Sequence, residues 1–254
     1  MYVSCGVEKQ MSLTKWNQYL RHVELCRERI QSFSQYPYCL SAIKDLSKIE
    51  FHPKVTYIVG ENGTGKSTIL EAIAIAYGFN PEGGTRNINF LTNNTHSDLY
   101  ENLKLVRGVK RPNDGFFLRA ESFYNVATNI DDVEAWESYG GSSLHSQSHG
   151  ESFLSVMRNR FSGNGLYILD EPEAALSPSK QMSMLVIMNE LIKKNSQFII
   201  ATHSPIIMSY PDSLIYELND GIKEVMYKDT DNYKITRNFL DRPEKMLKIL
   251  LDEE

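Results

Sequence analysis

Cysteine is scarce in this sequence, and the three present, Cys5, Cys26 and Cys39, are odd in number and irregular in spacing. That excludes a disulfide framework and a paired thiolate metal motif, and it fits reduced thiols in a reducing compartment. Long apolar runs are missing as well: no stretch approaches the ~20 residues needed to cross a bilayer. Met1–Gln10 has no basic flank leading into an apolar stretch, so the expectation is a cytoplasmic chain without a membrane partner. No repeat recurs at a fixed period and no heptad pattern is sustained, which rules out solenoids and rods. Nor is there a strong excess of one charge. The 32 acidic and 27 basic residues leave a formal charge of -5, too balanced to point to a nucleic-acid or membrane surface. With 41% hydrophobic residues the chain is too apolar for disorder, and 254 residues suffice for one large core.

What is present is an alternation of strand and helix signals. Val55-Thr56-Tyr57-Ile58-Val59 reads as a buried strand, and Ser67 to Tyr77 as a helix stopped by Gly78. Asn80 to Asn94 turns to Gly, Asn and Thr, and Asp98 to Arg107 is expected to form a helix ended by Gly108. Phe116 to Ala120 reads as a strand, and the polar segment from Asn129 to Gly150 as a loop expected to move. Leu166-Tyr167-Ile168-Leu169 and Phe198-Ile199-Ile200-Ala201 do not alternate with polar residues, as expected of parallel strands covered on both faces. Gln181 to Lys194 between them has helical length and suits a right-handed crossover. Asn219-Asp220-Gly221 marks a hairpin between Ser213–Leu218 and Ile222–Tyr227, and helices broken near Pro243 follow. Tyr19 to Cys26 and Lys48 to Phe51 are candidate edge strands. The fold class expected is α/β: a mostly parallel central sheet covered by helices, with a small antiparallel edge and a helical insertion. Residues 1–254 are read as one domain, with an insertion at about 80–150.

Gly60-Glu61-Asn62-Gly63-Thr64-Gly65-Lys66-Ser67 fits G-x-x-x-x-G-K-[ST] between a strand and a helix, the context a phosphate-binding loop requires. The glycines let the backbone amides curl toward a phosphate, and the helix N-terminus adds a dipole that favours an anion. Lys66 is the candidate bridge between the β- and γ-phosphates of ATP, the Ser67 hydroxyl a ligand for Mg2+, and Thr68 an α-phosphate contact. Asn62, Gly63, Thr64 and Gly65 supply the rest of the cradle. The four apolar residues before Asp170 and Glu171 put both carboxylates at the carboxyl end of a central strand, where open α/β sheets bind ligands. Asp170 is the expected metal ligand, and Glu171 the group that orients or deprotonates the attacking water. His203, in Ala201-Thr202-His203-Ser204-Pro205 at the end of another apolar strand, is placed to reach the γ-phosphate and that water.

Together these residues resemble ABC-type ATPases, especially the soluble branch that includes RecF-like and structural-maintenance-of-chromosomes proteins, from about Glu50 to His203. Among them, short ATPases with patterns similar to Ser148-His149-Gly150-Glu151 and Phe116-Phe117-Leu118-Arg119-Ala120-Glu121-Ser122 are nearest. The resemblance implies a signature motif at Ser148-His149-Gly150-Glu151, where Ser148 and Gly150 would complete the γ-phosphate pocket of a second copy. It further implies a cross-dimer loop at Ala174-Ala175-Leu176-Ser177 and a lid glutamine after an inner strand. No glutamine stands there; Glu121 takes the place, and a carboxylate lacks the amide's donor. The absence of heptads between Lys66 and Ser148 excludes the long coiled coil of the chromosome-maintenance relatives. The expected partner is a second copy; a companion protein and nucleic acid stay open, the latter through the basic clusters Arg107-Lys110-Arg111 and Arg158-Arg160. A nucleotide-gated binding module with little turnover and a P-loop kinase are the competing functions, the kinase leaving His203 and the signature unexplained.

Overall fold

In the computed structural model, residues 18–85, 97–120 and 148–251 are described. The runs that lack polar alternation become interior strands: β3 (Val55–Val59), β6 (Gly165–Asp170) and β7 (Gln197–Ala201) are buried at every position. With β5 (Asp114–Arg119), β8 (Leu214–Glu217) and β9 (Lys223–Glu224) they form a six-stranded sheet in the order β5-β6-β7-β3-β8-β9. Every neighbouring pair is parallel except the β8-β9 hairpin. Sequence-distant strands lie side by side, so each parallel step needs a crossover. Helix α2 (Lys66–Tyr77) leaves β3, helix α3 (His149–Asn159) precedes β6, and helix α4 (Pro178–Lys193) connects β6 to β7.

The two-residue period of each strand divides the interior into two cores. Tyr57, Val59, Phe116, Leu118, Tyr167, Leu169, Phe198 and Ile200 face Phe153 and Met157 of α3 and Met184 and Met188 of α4. Ile58, Phe117, Ile168, Ile199 and Ala201 face the other way, onto Ile69, Leu70 and Ile73 of α2. Beyond α2 lies a second, antiparallel sheet, β2 (Lys48–Glu50), β1 (Leu20–Leu25) and β4 (Leu103–Arg107) in that order, with Val23, Ile49 and Leu103 in the same core. Burying a side chain of this size contributes roughly 1.5–3 kcal/mol, so the two layers are the main source of cohesion.

Gln197 joins the two sheets. Its buried amide oxygen accepts from the backbone amides of Tyr19 and Leu20 at 3.0 and 2.9 Å, and its nitrogen donates to the carbonyls of Leu20 and His52 at 2.8 and 3.0 Å. All four of its hydrogen-bonding capacities are used.

One sequence expectation is corrected. Asp98 to Arg107 is not a helix: Asp98–Asn102 forms a 3-10 turn and Leu103–Arg107 is strand β4, paired along β1. The alternation Leu103-Lys104-Leu105 has the period of a strand, and pairing with β1 buries Leu103 while Lys104 reaches Glu24. Tyr19–Cys26 and Lys48–Phe51 do yield strands, but β1 is the middle strand of its sheet. The hairpin at Asn219-Asp220-Gly221 forms, and the chain ends in helices α5 (Asp231–Asp241) and α6 (Pro243–Leu250), which break at Pro243 as expected. Glu121 and the polar stretch 129–147 lie outside the described residues.

Candidate functional site

The register of the central sheet decides what meets at its carboxyl edge. Ile58 pairs with Ala201, and Asp170 pairs with Ala201 on the other side, so β3, β6 and β7 end at one level. The phosphate loop leaves β3, the acid pair leaves β6 and the His203 loop leaves β7. Three sequence-distant motifs are thereby brought to one place.

The loop curls because its glycines take left-handed backbone angles: Gly63 has φ +80° and Gly65, the residue before α2, φ +99°. Gly65 also has Leu40 against it, where an added Cβ would lie 3.0 Å from the leucine side chain. Lys66 is buried and donates from Nζ to the carbonyl of Glu61 at 3.0 Å. Burial lowers its pKa, and the carboxylates of Glu171, Asp170, Glu173 and Glu61 oppose that without cancelling it. The Ser67 hydroxyl donates to Oδ1 of buried Asp170 at 3.0 Å, while Arg119 Nε stands 3.6 Å from Oδ2 and its Nη1 donates to Glu71 at 2.5 Å.

Glu171 has φ +48° and ψ 52°, a left-handed conformation that a non-glycine residue adopts at a cost of order 1–3 kcal/mol. Its backbone amide is held by the carbonyl of Ala201 at 2.9 Å. Its Oε1 faces His203 Nε2 at 3.4 Å, and that ring nitrogen is buried without an aligned hydrogen-bond partner. Glu173 grips the opposite loop, accepting from the Thr202 hydroxyl at 2.7 Å and from the His203 backbone amide. A pocket lined by Asn62, Gly63, Gly65, Lys66, Ser67, Thr68 and Glu171 opens at this edge, closed on its far side by Tyr36 and Leu40. The Tyr36 hydroxyl hydrogen-bonds with Thr68 at 3.1 Å.

Lys66, Ser67, Thr68 and Glu171 line this pocket and Asp170 and His203 join them through Ser67 and Glu171, whereas Ser148 and Gly150 neither line it nor share a described hydrogen bond or ion pair with those six. Ser148 caps α3: its backbone amide donates to Glu151 Oε2 at 3.0 Å, and Lys180 donates to its hydroxyl at 3.1 Å. Gly150 packs against the turn after the acid pair, where an added Cβ would lie 2.7 Å from the Ala175 carbonyl. Sequence reasoning missed Tyr36, Leu40, Arg119 and Glu173. Tyr36 and Leu40 carry no motif, whereas a third acid two residues beyond Glu171 was a readable signal.

Against known protein families, residues 29–161 match a model described as an AAA domain, and residues 151–208 match one described as an AAA ATPase domain. No curated protein matches. Among solved structures, the SMC head domain from Thermotoga maritima is similar at 20% identity and a TM-score of 0.46, over 82% of this chain and 99% of that one. CbiO1 from Clostridium perfringens, part of the ABC transporter complex cbiONQ, is similar at 17% identity and a TM-score of 0.48, over 89% of this chain and 96% of that one. A nucleotide-free ATP-binding cassette from an ABC transporter has 18% identity and the same TM-score, 0.48, over 89% and 96%. These scores fall below 0.5, so the fold rests on the strand order and the family on the domain models. With the first model spanning more than half of its length, the chain belongs to the AAA domain family of P-loop ATPases.

Proposed function

We propose that this chain binds ATP with Mg2+ and hydrolyses its γ-phosphate, two copies sandwiching two nucleotides. The observation that carries the reading is the meeting of Lys66, Ser67, Asp170, Glu171 and His203 at one sheet edge, above the glycine loop. The loop amides and the N-terminus of α2 hold the β-phosphate, and Lys66, released from the Glu61 carbonyl, spans to the γ-phosphate. Ser67 and Asp170 fit Mg2+: a hydroxyl and a carboxylate oxygen 3.0 Å apart make a hard, all-oxygen pair, the small protein share such a cation takes when phosphates complete its shell. Held by Ser67 and Asp170, Mg2+ would supply neutralisation of charge on the phosphate oxygens. Glu171 takes a proton from the attacking water, a role worth ~10²–10⁴-fold in rate. The strained backbone of Glu171 and its amide bond to Ala201 fix that carboxylate. His203 Nε2, buried and facing the same carboxylate, donates to the γ-phosphate or the water.

The place of Ser148 and Gly150 supports the dimer. Ser148 caps an eleven-residue helix with Gly150 in its first turn, away from the residues lining the pocket of its own chain, and that N-terminus, offered to a second copy, supplies an anion site for its γ-phosphate. Phosphate release with wild-type protein, Lys66→Ala and Glu171→Gln tests the reading. Wild-type turnover, lost with nucleotide binding in Lys66→Ala and without it in Glu171→Gln, supports it; equal turnover in all three refutes it.

A further inference from the structure

Two elements flank the proposed γ-phosphate position, the phosphate loop and the His203 loop, and the first turn of α5 reaches the first through Asn219 and bonds to the second directly. Asn219, in the hairpin turn after β8, accepts from the backbone amide of Glu61 at 2.9 Å through Oδ1. Its nitrogen donates to Asp231 Oδ2 at 2.6 Å. Donor and acceptor are not interchangeable here, because a flipped amide would turn its nitrogen onto a backbone N–H and its oxygen onto a carboxylate. The fit is close: a Cβ on Gly60, which has φ +145°, would lie 3.1 Å from Asn219 Oδ1. Asp231 is fixed in turn, its amide donating to Glu217 Oε1 at 2.9 Å. The next residue, Asn232, donates from Nδ2 to the carbonyl of His203 at 2.8 Å. Thr230 caps this helix end, is fully buried, and accepts from the Tyr233 amide at 3.4 Å.

We propose that Asn219, Asp231 and Asn232 are positioning residues of the ATPase site, through which the start of α5 locks the phosphate loop and the His203 loop to one another. The inference rests on the ATPase reading of the same site. None of the three lines the pocket: Asn219 acts through the Glu61 amide and Asn232 through the His203 backbone. The contacts to Asn219 and to the His203 carbonyl leave consecutive residues of one helical turn, so a displacement of α5 moves both loops together. Changes that loosen the phosphate loop act on nucleotide binding, and those that free the His203 loop act on turnover.

Hydrogen–deuterium exchange on the full chain without nucleotide, paired with ATP KM and kcat, tests this. Asp231 does not touch the phosphate loop, so Asp231→Ala is the informative change. It is expected to raise exchange in the peptide spanning 60–65 about fivefold, the effect of losing one hydrogen bond, and to raise KM about as much with kcat held. Asp231→Asn keeps an acceptor for Asn219 and is expected to restore both. Asn232→Ala is expected to lower kcat several-fold at unchanged KM. Unchanged exchange at 60–65 in Asp231→Ala overturns the proposal, as does a uniform fall in every parameter that Asp231→Asn does not rescue. Should Asp231→Ala fail to fold, Asn219→Asp, which sets a carboxylate against Asp231, carries the same expectation for the loop. Absence of ATP binding by wild-type protein sinks the ATPase reading instead, and the exchange result still decides whether α5 holds the loop.

Discussion

At the scale of single residues, the protein holds its charged groups by enclosing them. Asp114 at the start of β5 is one case. Burial would push its carboxyl up, but the Ser162 amide at 2.9 Å, the Tyr167 hydroxyl at 2.8 Å, Arg160 at 3.0 Å and the Gly115 amide at 2.8 Å outweigh that and leave it below the usual range. A carboxyl depressed in the folded chain stabilises it above the unfolded value, about 3.9, and that contribution is lost as pH falls toward the folded value. Urea unfolding at pH 6 and pH 3.5 is therefore expected to show a smaller loss of stability on acidification in Asp114→Asn than in wild type, from a lower starting point. A steeper loss in the variant would contradict the assignment. Gly150→Ala is a second residue-scale case. The new methyl meets the backbone oxygen of Ala175, which cannot swing away, so a cost of about 1–3 kcal/mol is expected in a thermal melt.

The same scale shows what the residues disclosed in advance. Lys66, Ser67, Asp170, Glu171 and His203 were legible because each sits in a short motif at the end of an apolar run, and such runs fix strand ends. Arg119 was read only as part of a strand; that it faces Asp170 depends on the pairing of β5 with β6, which no local pattern encodes. Asn219 was read as a turn former, and its bond to Glu61 depends on β8 lying beside β3.

At the scale of elements, the two sheets are held together by a core and by polar side chains, Gln197 and the Tyr216 hydroxyl among them. Gln197→Leu keeps the volume but orphans the amides of Tyr19 and Leu20 and two carbonyls. A loss of about 2–3 kcal/mol in unfolding free energy is expected from urea titration, and exchange is expected to rise first in β1. A neutral substitution would mean that the Gln197 amide does not contribute to joining the sheets. Elements of strict local pattern were readable from sequence, including β3, β6, β7, α2 and the β8-β9 hairpin. Strand β4 was not, because a ten-residue stretch rich in Leu and charge carries both periods, and only the unpaired edge of β1 selects one.

At the scale of the whole molecule, the site faces outward from the sheet edge, and the cap of α3 stands apart from it. In the proposed dimer a second copy joins these, each chain completing the other's pocket. Glu171→Gln sharpens the test, because it keeps the size and shape of the side chain while removing the base. Sedimentation of Glu171→Gln with ATP and Mg2+ measures the claim directly. The account predicts a species of twice the 29.1 kDa chain mass, dispersed by omitting ATP or by Ser148→Arg. A monomer at saturating, demonstrably bound nucleotide would contradict it.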